Sequence, residues 1–232
     1  MQNFNPEGLE ERIGYKFKDR SLLRSALAHS SYTNEMKINR IADYQRLEFL
    51  GDAVLEVTVS DFLYKNHPEM PEGEMTKVRS SLVCEPTLAF CARAFSLSDF
   101  ILLGKGEENQ GSRYRDSIVS DIFEAIIGAI YIDGGMEPAA AHIKKYVLTD
   151  IEHKQLFHDS KSRLQILIQK RSGTLSYELI DESGPDHRKS FTVAAIINGE
   201  RVAEGTGSSK KSAEQHAAYE ALIKEGENVS GN

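Results

Sequence analysis

Within Arg46-Leu-Glu-Phe-Leu-Gly-Asp-Ala-Val-Leu55, two carboxylates interrupt an otherwise apolar run. At about 100° per residue, positions four apart point within roughly 40° of one another, so Glu48 and Asp52 share one face of a helix. A second pair, Asp121 and Glu124, lies three apart in the apolar run Ser120 to Tyr131 and also shares a helix face. Four acids from two helices would make a cup for a divalent cation and point to a hydrolase. Periodicity alone favours a plainer arrangement, in which Glu48, Asp52 and Glu56 form the solvated stripe of an amphipathic helix.

The chain has 232 residues, long enough for one or two domains with a sizeable core, and its 40% hydrophobic and 27% charged content is that of a soluble globular protein. It shows no charged-apolar leader and no apolar run long enough to span a bilayer, so a cytoplasmic protein with no membrane partner is expected. Cys84 and Cys91, the only cysteines, form neither a zinc pattern nor a disulfide framework and are expected as buried, reduced thiols. The net charge of −7 gives no global basic footprint for nucleic acid. It divides unevenly: residues 1–154 carry 18 Lys+Arg against 24 Asp+Glu, and residues 155–232 carry 10 against 11. Any nucleic-acid affinity must then come from local clusters of lysine and arginine, while the acid excess suits a cation.

Apolar residues at three-and-four spacing predict helices near 7–13, 19–29, 43–66, 73–95, 116–133 and 137–149. Gly51 and Gly128 fall inside two of these helices, where glycine costs about 1 kcal/mol relative to alanine; close packing of the acid-bearing helices would justify both. Residues 152–159 form a polar stretch with little pattern, placed here as the boundary between domains at 1–153 and 159–228. Beyond it the pattern reads helix, three strands, helix. Arg163–Lys170 is helical and Tyr177–Ile180 extended. Phe191, Val193, Ala195 and Ile197 alternate up to Asn198-Gly199, a strong hairpin turn. Val202–Gly205 returns, and a helix from about Ser209 to Lys224 closes the chain. The fold class expected is α+β: an all-α domain followed by a small α-β-β-β-α domain. Lys210 and Lys211 stand in the first turn of that last helix, against its dipole. A phosphate docked there would explain them, and a merely solvated pair is the plain alternative.

The wording of Leu47-Glu-Phe-Leu-Gly-Asp-Ala-Val-Leu55 resembles the signature of bacterial ribonuclease III, the endonuclease of double-stranded RNA. Ala26–Tyr32, Pro71–Leu82, Leu103–Glu108 and Arg115–Ile118 appear in the family's order around it. Gly184–Phe191 and Gly205–Ala218 closely resemble the double-stranded-RNA-binding domain, which reads A-form shape across two minor grooves and the phosphates between them. The resemblance implies Glu48, Asp52, Asp121 and Glu124 as metal-site residues, Asp52 and Glu124 the least dispensable. Oxygen-only ligands favour Mg²⁺, with Mn²⁺ a substitute. It implies hydrolysis to 5′-phosphate and 3′-hydroxyl ends, rRNA and mRNA precursors as substrates, and a homodimer. Phe49, off the acid face, is then a candidate plug into the partner, or else a core residue of its own domain. Glu72 resembles a substrate contact. Gln165 and His187 are implied at the minor grooves and Lys210 and Lys211 at the phosphates. Lys161, Gln165 and Gln169 share one polar face. Two positions depart from the pattern. Tyr44-Gln45-Arg46 replaces the usual Asn-Glu-Arg, which bears on cleavage-site choice through Gln45, and Ser162 replaces a threonine. The rival reading is a catalytically silent RNA-binding dimer, against which the retention of all four mutually repelling acids argues.

Overall fold

The computed structural model describes residues 4–37, 43–184 and 189–226. The chain forms two compact units, residues 1–149 and 150–232.

The first unit is helical. Its elements are α1 (Pro6–Ile13), α2 (Arg20–Leu27), α3 (Ser30–Glu35), α4 (Gln45–Asn66), α5 (Glu72–Val83), α6 (Glu85–Arg93), α7 (Lys105–Asn109), α8 (Asp116–Gly134) and α9 (Met136–Tyr146). Among the described residues, two single-turn 3₁₀ segments, Leu97–Phe100 and Ser112–Tyr114, lie between them. Helix α8 is the centre of the unit. Its run from Ile118 to Ile130 is buried on nearly all sides, with Asp121 and Glu124 the half-buried interruptions. It packs against α2, α4, α6 and α9. An all-round apolar helix has no stable place except inside such a shell.

The backbones of α4 and α8 touch. A Cβ on Gly51 would lie 1.8 Å from the Glu124 carbonyl oxygen, and one on Gly128 would lie 2.2 Å from that of Leu47. Only glycine at both positions lets the two acid-bearing helices meet, which is the packing role expected for them.

Two helix boundaries differ from the sequence expectation. The predicted helix 73–95 breaks at Cys84, whose ψ of 154° starts α6 with Pro86 in its first turn. Pro86 lacks the N–H that a continuous helix would donate to the Leu82 carbonyl, so the helix restarts with the proline in its first turn. The predicted helix 19–29 ends at Leu27, because Ala28 turns extended and bridges to Leu102. Cys84 is half-buried at the break and Cys91 buried in α6, both without a disulfide.

The second unit comprises α10 (Ile151–Lys170), β1 (Leu175–Ser183), β2 (Ser190–Ile197), β3 (Glu200–Gly207) and α11 (Lys210–Lys224). The stretch 152–159, expected as a patternless join, is the first half of α10. Lys154, Leu156, Phe157, Ser160, Leu164 and Ile168 are buried along one helical stripe. The strands form an antiparallel sheet in the order β1-β2-β3, with a bulge between Leu179 and Asp181. Asn198 and Gly199, at φ of 53° and 84°, make the tight turn between β2 and β3 that their sequence predicts. Leu156, Leu164 and Ile168 of α10, Ala195, Ile197 and Ala203 of the sheet, and Ala217, Ala221 and Leu222 of α11 share one core. Small alanines on α11 let it lie close to the sheet.

Candidate active site and RNA-binding face

Because α4 and α8 meet at glycine, side chains one turn away are forced together. Glu48, Asp121 and Glu124 each present a carboxylate oxygen within 4.8 Å of the others. Asp52, one turn along α4, is exposed and lies outside that tight group. Its charge still reaches Glu48 and Glu124. Glu56, the next acid of the stripe, pairs with Arg79 at 3.0 Å. The stripe therefore divides: one end enters a like-charged cluster and the other an ordinary ion pair.

The cluster is electrostatically uncomfortable by itself. Burial, then the neighbouring charges of Asp52, Glu48, Asp121 and Glu56, push Glu124 up to about 8. Burial, then Asp121, Asp52 and Asp43, push Glu48 up to about 7. Burial also raises Asp121, opposed by a hydrogen bond from Tyr44 and the proximity of His29. Half-buried carboxylates gathered at this spacing fit a hard divalent cation, which neutralises them and needs oxygen ligands.

Tyr44 and His29 were not singled out by sequence reasoning. Tyr44 donates its phenol proton to Asp121 Oδ2 at 3.2 Å, and its ring stacks on His29 with centroids 5.7 Å apart. The available signal was indirect: His29 lies in a segment whose wording resembles the family, and Tyr44 stands where the chain departs from it, with no role attached to either.

Phe49 is 81% exposed on α4, and Val57 and Tyr64 further along the same helix are exposed as well. Glu72 is exposed in the first turn of α5, where its Oε1 accepts from Thr76 at 3.0 Å. It lines a groove of about 530 Å³ together with Val57, Tyr64, Met75 and Arg79.

In the second unit, Gln165 and Gln169 are exposed on α10. Lys161, expected on the same polar face, is engaged instead: it pairs with Glu214 and sits 5.0 Å over the Tyr177 ring. Lys210 and Lys211 are both exposed in the first turn of α11, capped by Ser209, whose Oγ accepts from Ser212 N at 3.1 Å. His187 lies outside the described residues. Among those described, no helix is long and apolar enough to cross a membrane.

Comparison with known proteins agrees with this arrangement. The family model described as Ribonuclease-III-like matches residues 19–151, and the double-stranded RNA binding motif matches residues 160–225. The chain is 50% identical to Ribonuclease 3 of Pelotomaculum thermopropionicum, covering 93% of this chain and 91% of that relative. It is 46% identical to Ribonuclease 3 of Bacillus velezensis over 93% and 88%. A solved nuclease domain of ribonuclease III from Campylobacter jejuni, described for its region of dimer formation, superposes with a TM-score of 0.58. That domain shares 40% identity and covers 62% of this chain and 96% of its own length. The helical unit thus falls under one family model and the three-stranded unit under the other, and the relatives match along nearly the whole length: the chain belongs to the ribonuclease III family, endoribonucleases of double-stranded RNA.

Proposed function

We propose that the protein cuts double-stranded RNA with Mg²⁺, Mn²⁺ serving as a substitute, at a site made by Glu48, Asp52, Asp121 and Glu124. Asp52 and Glu124 are the catalytic pair in this reading. The observation that carries it is the convergence of Glu48, Asp121 and Glu124 across a glycine-to-backbone contact in a chain that also bears the duplex-binding motif. When bound, the cation supplies charge neutralisation and an activated water. The side chains of the cluster hold it, and rigid helices keep their oxygens together. Hydrolysis forms a bond from water oxygen to phosphorus and breaks the bond to the 3′ oxygen, leaving 5′-phosphate and 3′-hydroxyl ends. Asp52, exposed to solvent beside the half-buried acids, is the carboxylate of the set that an incoming phosphate strand can reach.

The nuclease role is assigned to residues 1–153 and duplex binding to residues 159–228. Gln165 and His187 take the minor grooves, and Lys210 and Lys211 the phosphates between. Contacts to phosphates and 2′-hydroxyls carry little base information, so selection rests on RNA shape. Glu72 is assigned a substrate contact. The apolar strip of Phe49, Val57 and Tyr64 is the face for a second copy, with Phe49 as the plug, giving a homodimer in which each subunit cuts one strand. Structured rRNA and mRNA precursors in the cytoplasm are the substrates.

Glu124→Gln keeps the side chain's shape and removes its charge. Tested on a long RNA duplex with Mg²⁺, it should abolish cleavage while leaving duplex binding nearly intact. Cleavage at the wild-type rate would remove Glu124 from the site. Binding without cleavage by the unaltered protein would establish the silent-binder alternative.

A further inference from the structure

The acid cluster has a support that the four carboxylates do not describe. Tyr44 immediately precedes α4, and its backbone is pinned on both sides. Its N–H donates to the Ala28 carbonyl at 3.0 Å, and its own carbonyl accepts from Leu47 and Glu48 N–H at 2.9 Å each. Tyr44 is only 6% exposed, and its ring stacks on His29 at an interplanar angle of 20°. His29 is in turn held. Its Nδ1 accepts from Ser31 N–H at 3.2 Å and lies 2.9 Å from Ser31 Oγ, which itself accepts from Gly104 N–H at 2.9 Å. With Nδ1 accepting, the imidazole proton is assigned to Nε2. Each contact removes a freedom from the phenol, leaving its hydroxyl aimed at Asp121 Oδ2, 77 residues along the chain.

We propose that Tyr44 is a positioning residue for the cation site: it fixes the rotation of the Asp121 carboxylate by occupying Oδ2 and so presents that side chain ready to ligate. The proposal rests on the cation reading given above and goes beyond it in assigning a residue outside the acidic set. Ligating carboxylates are themselves hydrogen-bonded in working metal sites, and removing such a support typically weakens metal binding by about 10–100-fold. Because the Tyr44 ring stacks on His29, the hold extends from the acid cluster to the hydrogen bond from Gly104 N–H to Ser31 Oγ just ahead of α7.

The test uses the full-length protein without RNA and measures Mn²⁺ binding by electron paramagnetic resonance of the free ion. The wild type should bind Mn²⁺, and Glu124→Gln should lose that binding. Tyr44→Phe, which keeps the ring stack and deletes only the hydroxyl, should bind about tenfold more weakly at an unchanged melting temperature. Under turnover, its Mg²⁺ midpoint should rise by a similar factor while kcat recovers at saturating Mg²⁺. The same substitution in an Asp121→Asn background should add less than twofold. 3-Fluorotyrosine at position 44, which restores the donor, should return binding to within twofold of the wild type. Binding by Tyr44→Phe within twofold of the wild type would overturn the proposal and leave the cation site standing. So would a tenfold loss that persists without the Asp121 carboxylate, or a fluorotyrosine protein that binds no better than the phenylalanine variant. Absence of Glu124-dependent Mn²⁺ binding in the wild type would overturn both readings together.

Discussion

Replacing Gly51 by alanine adds one methyl group at the point where the two acid-bearing helices touch. That methyl would sit 1.8 Å from the Glu124 carbonyl oxygen, where ordinary contact begins near 3.4 Å. The helices must separate locally by about 1.6 Å, because the obstacle is main chain and has no rotamer to escape into. Alanine gains about 1 kcal/mol over glycine in helix propensity. Overpacking loses about 1–3 kcal/mol even where neighbours can yield, and here they cannot. A net loss of about 2 kcal/mol follows, or a fall of about 4–8 °C in Tm at 2–4 °C per kcal/mol for a unit of this size. The site suffers more than the fold. Magnesium–oxygen bonds of about 2.1 Å require ligand oxygens about 3–4 Å apart, so a shift of this size takes Glu48 of α4 out of reach of a cation held by α8. Thermal melting and Mn²⁺ titration of Gly51→Ala should therefore both change, with cleavage lost at Mg²⁺ concentrations that saturate the wild type. Gly73→Ala is the internal control: its added methyl meets nothing within 4 Å on α5, and it should melt at or above the wild type. If Gly51→Ala also melts like the wild type and binds Mn²⁺ unchanged, the contact does not set the site.

Three more outcomes are expected. Lys210→Ala with Lys211→Ala should weaken duplex binding and lower the slope of log affinity against log salt by roughly 2; an unchanged slope would exclude both from phosphate contact. Glu48 near 7 and Glu124 near 8 lie above the ordinary carboxyl value of 4.5. The folded metal-free protein therefore holds protons that the unfolded chain releases, and its stability should fall as pH rises from about 5 to 8. Cations must displace those protons, so Mg²⁺ affinity measured by calorimetry should rise between pH 6 and 8.5, and a flat profile would refute the coupled cluster. His142 is buried among Phe95, Phe123 and Tyr146 with neither ring nitrogen hydrogen-bonded, and burial drives it down to about 3. An imidazole depressed below its free value destabilises the fold as pH falls from about 6.5 toward 3. His142→Leu should remove that acid sensitivity and stabilise by about 1 kcal/mol at neutral pH, checked by melts at pH 5 and pH 7.

What the sequence disclosed, it disclosed through short-range periodicity. Helices α4 and α8 were legible because their apolar runs are long, and Gly51 and Gly128 because glycine in a helix demands a reason. The turn at Asn198-Gly199 was legible because its two residues suit that backbone. The break at Cys84 was available too, in Pro86, but the apolar spacing through 73–95 masked it. The helical character of 152–159 was missed because its buried face includes Lys154, a polar residue that blunts the pattern. The Ala28–Leu102 bridge and the Tyr44–Asp121 hydrogen bond join residues far apart in the chain, and no local pattern encodes such partners. The acid set was named from wording, while the exposed position of Asp52, outside the tight group of three, came only with the coordinates.

The joining of α10 to α11 has a consequence for what the second unit can recognise. Lys161 is tied to Glu214, Ser160 Oγ donates to the Gln215 carbonyl at 3.0 Å, and the Gln215 amide reaches the Phe157 and His158 carbonyls. Gln165 on one rod and the lysine pair on the other are therefore held like the jaws of a locked caliper. In the duplex-binding role proposed for these residues, such a gauge accepts a double helix of one groove pitch and rejects another whatever its bases, so a DNA duplex of identical sequence should slip from its grip.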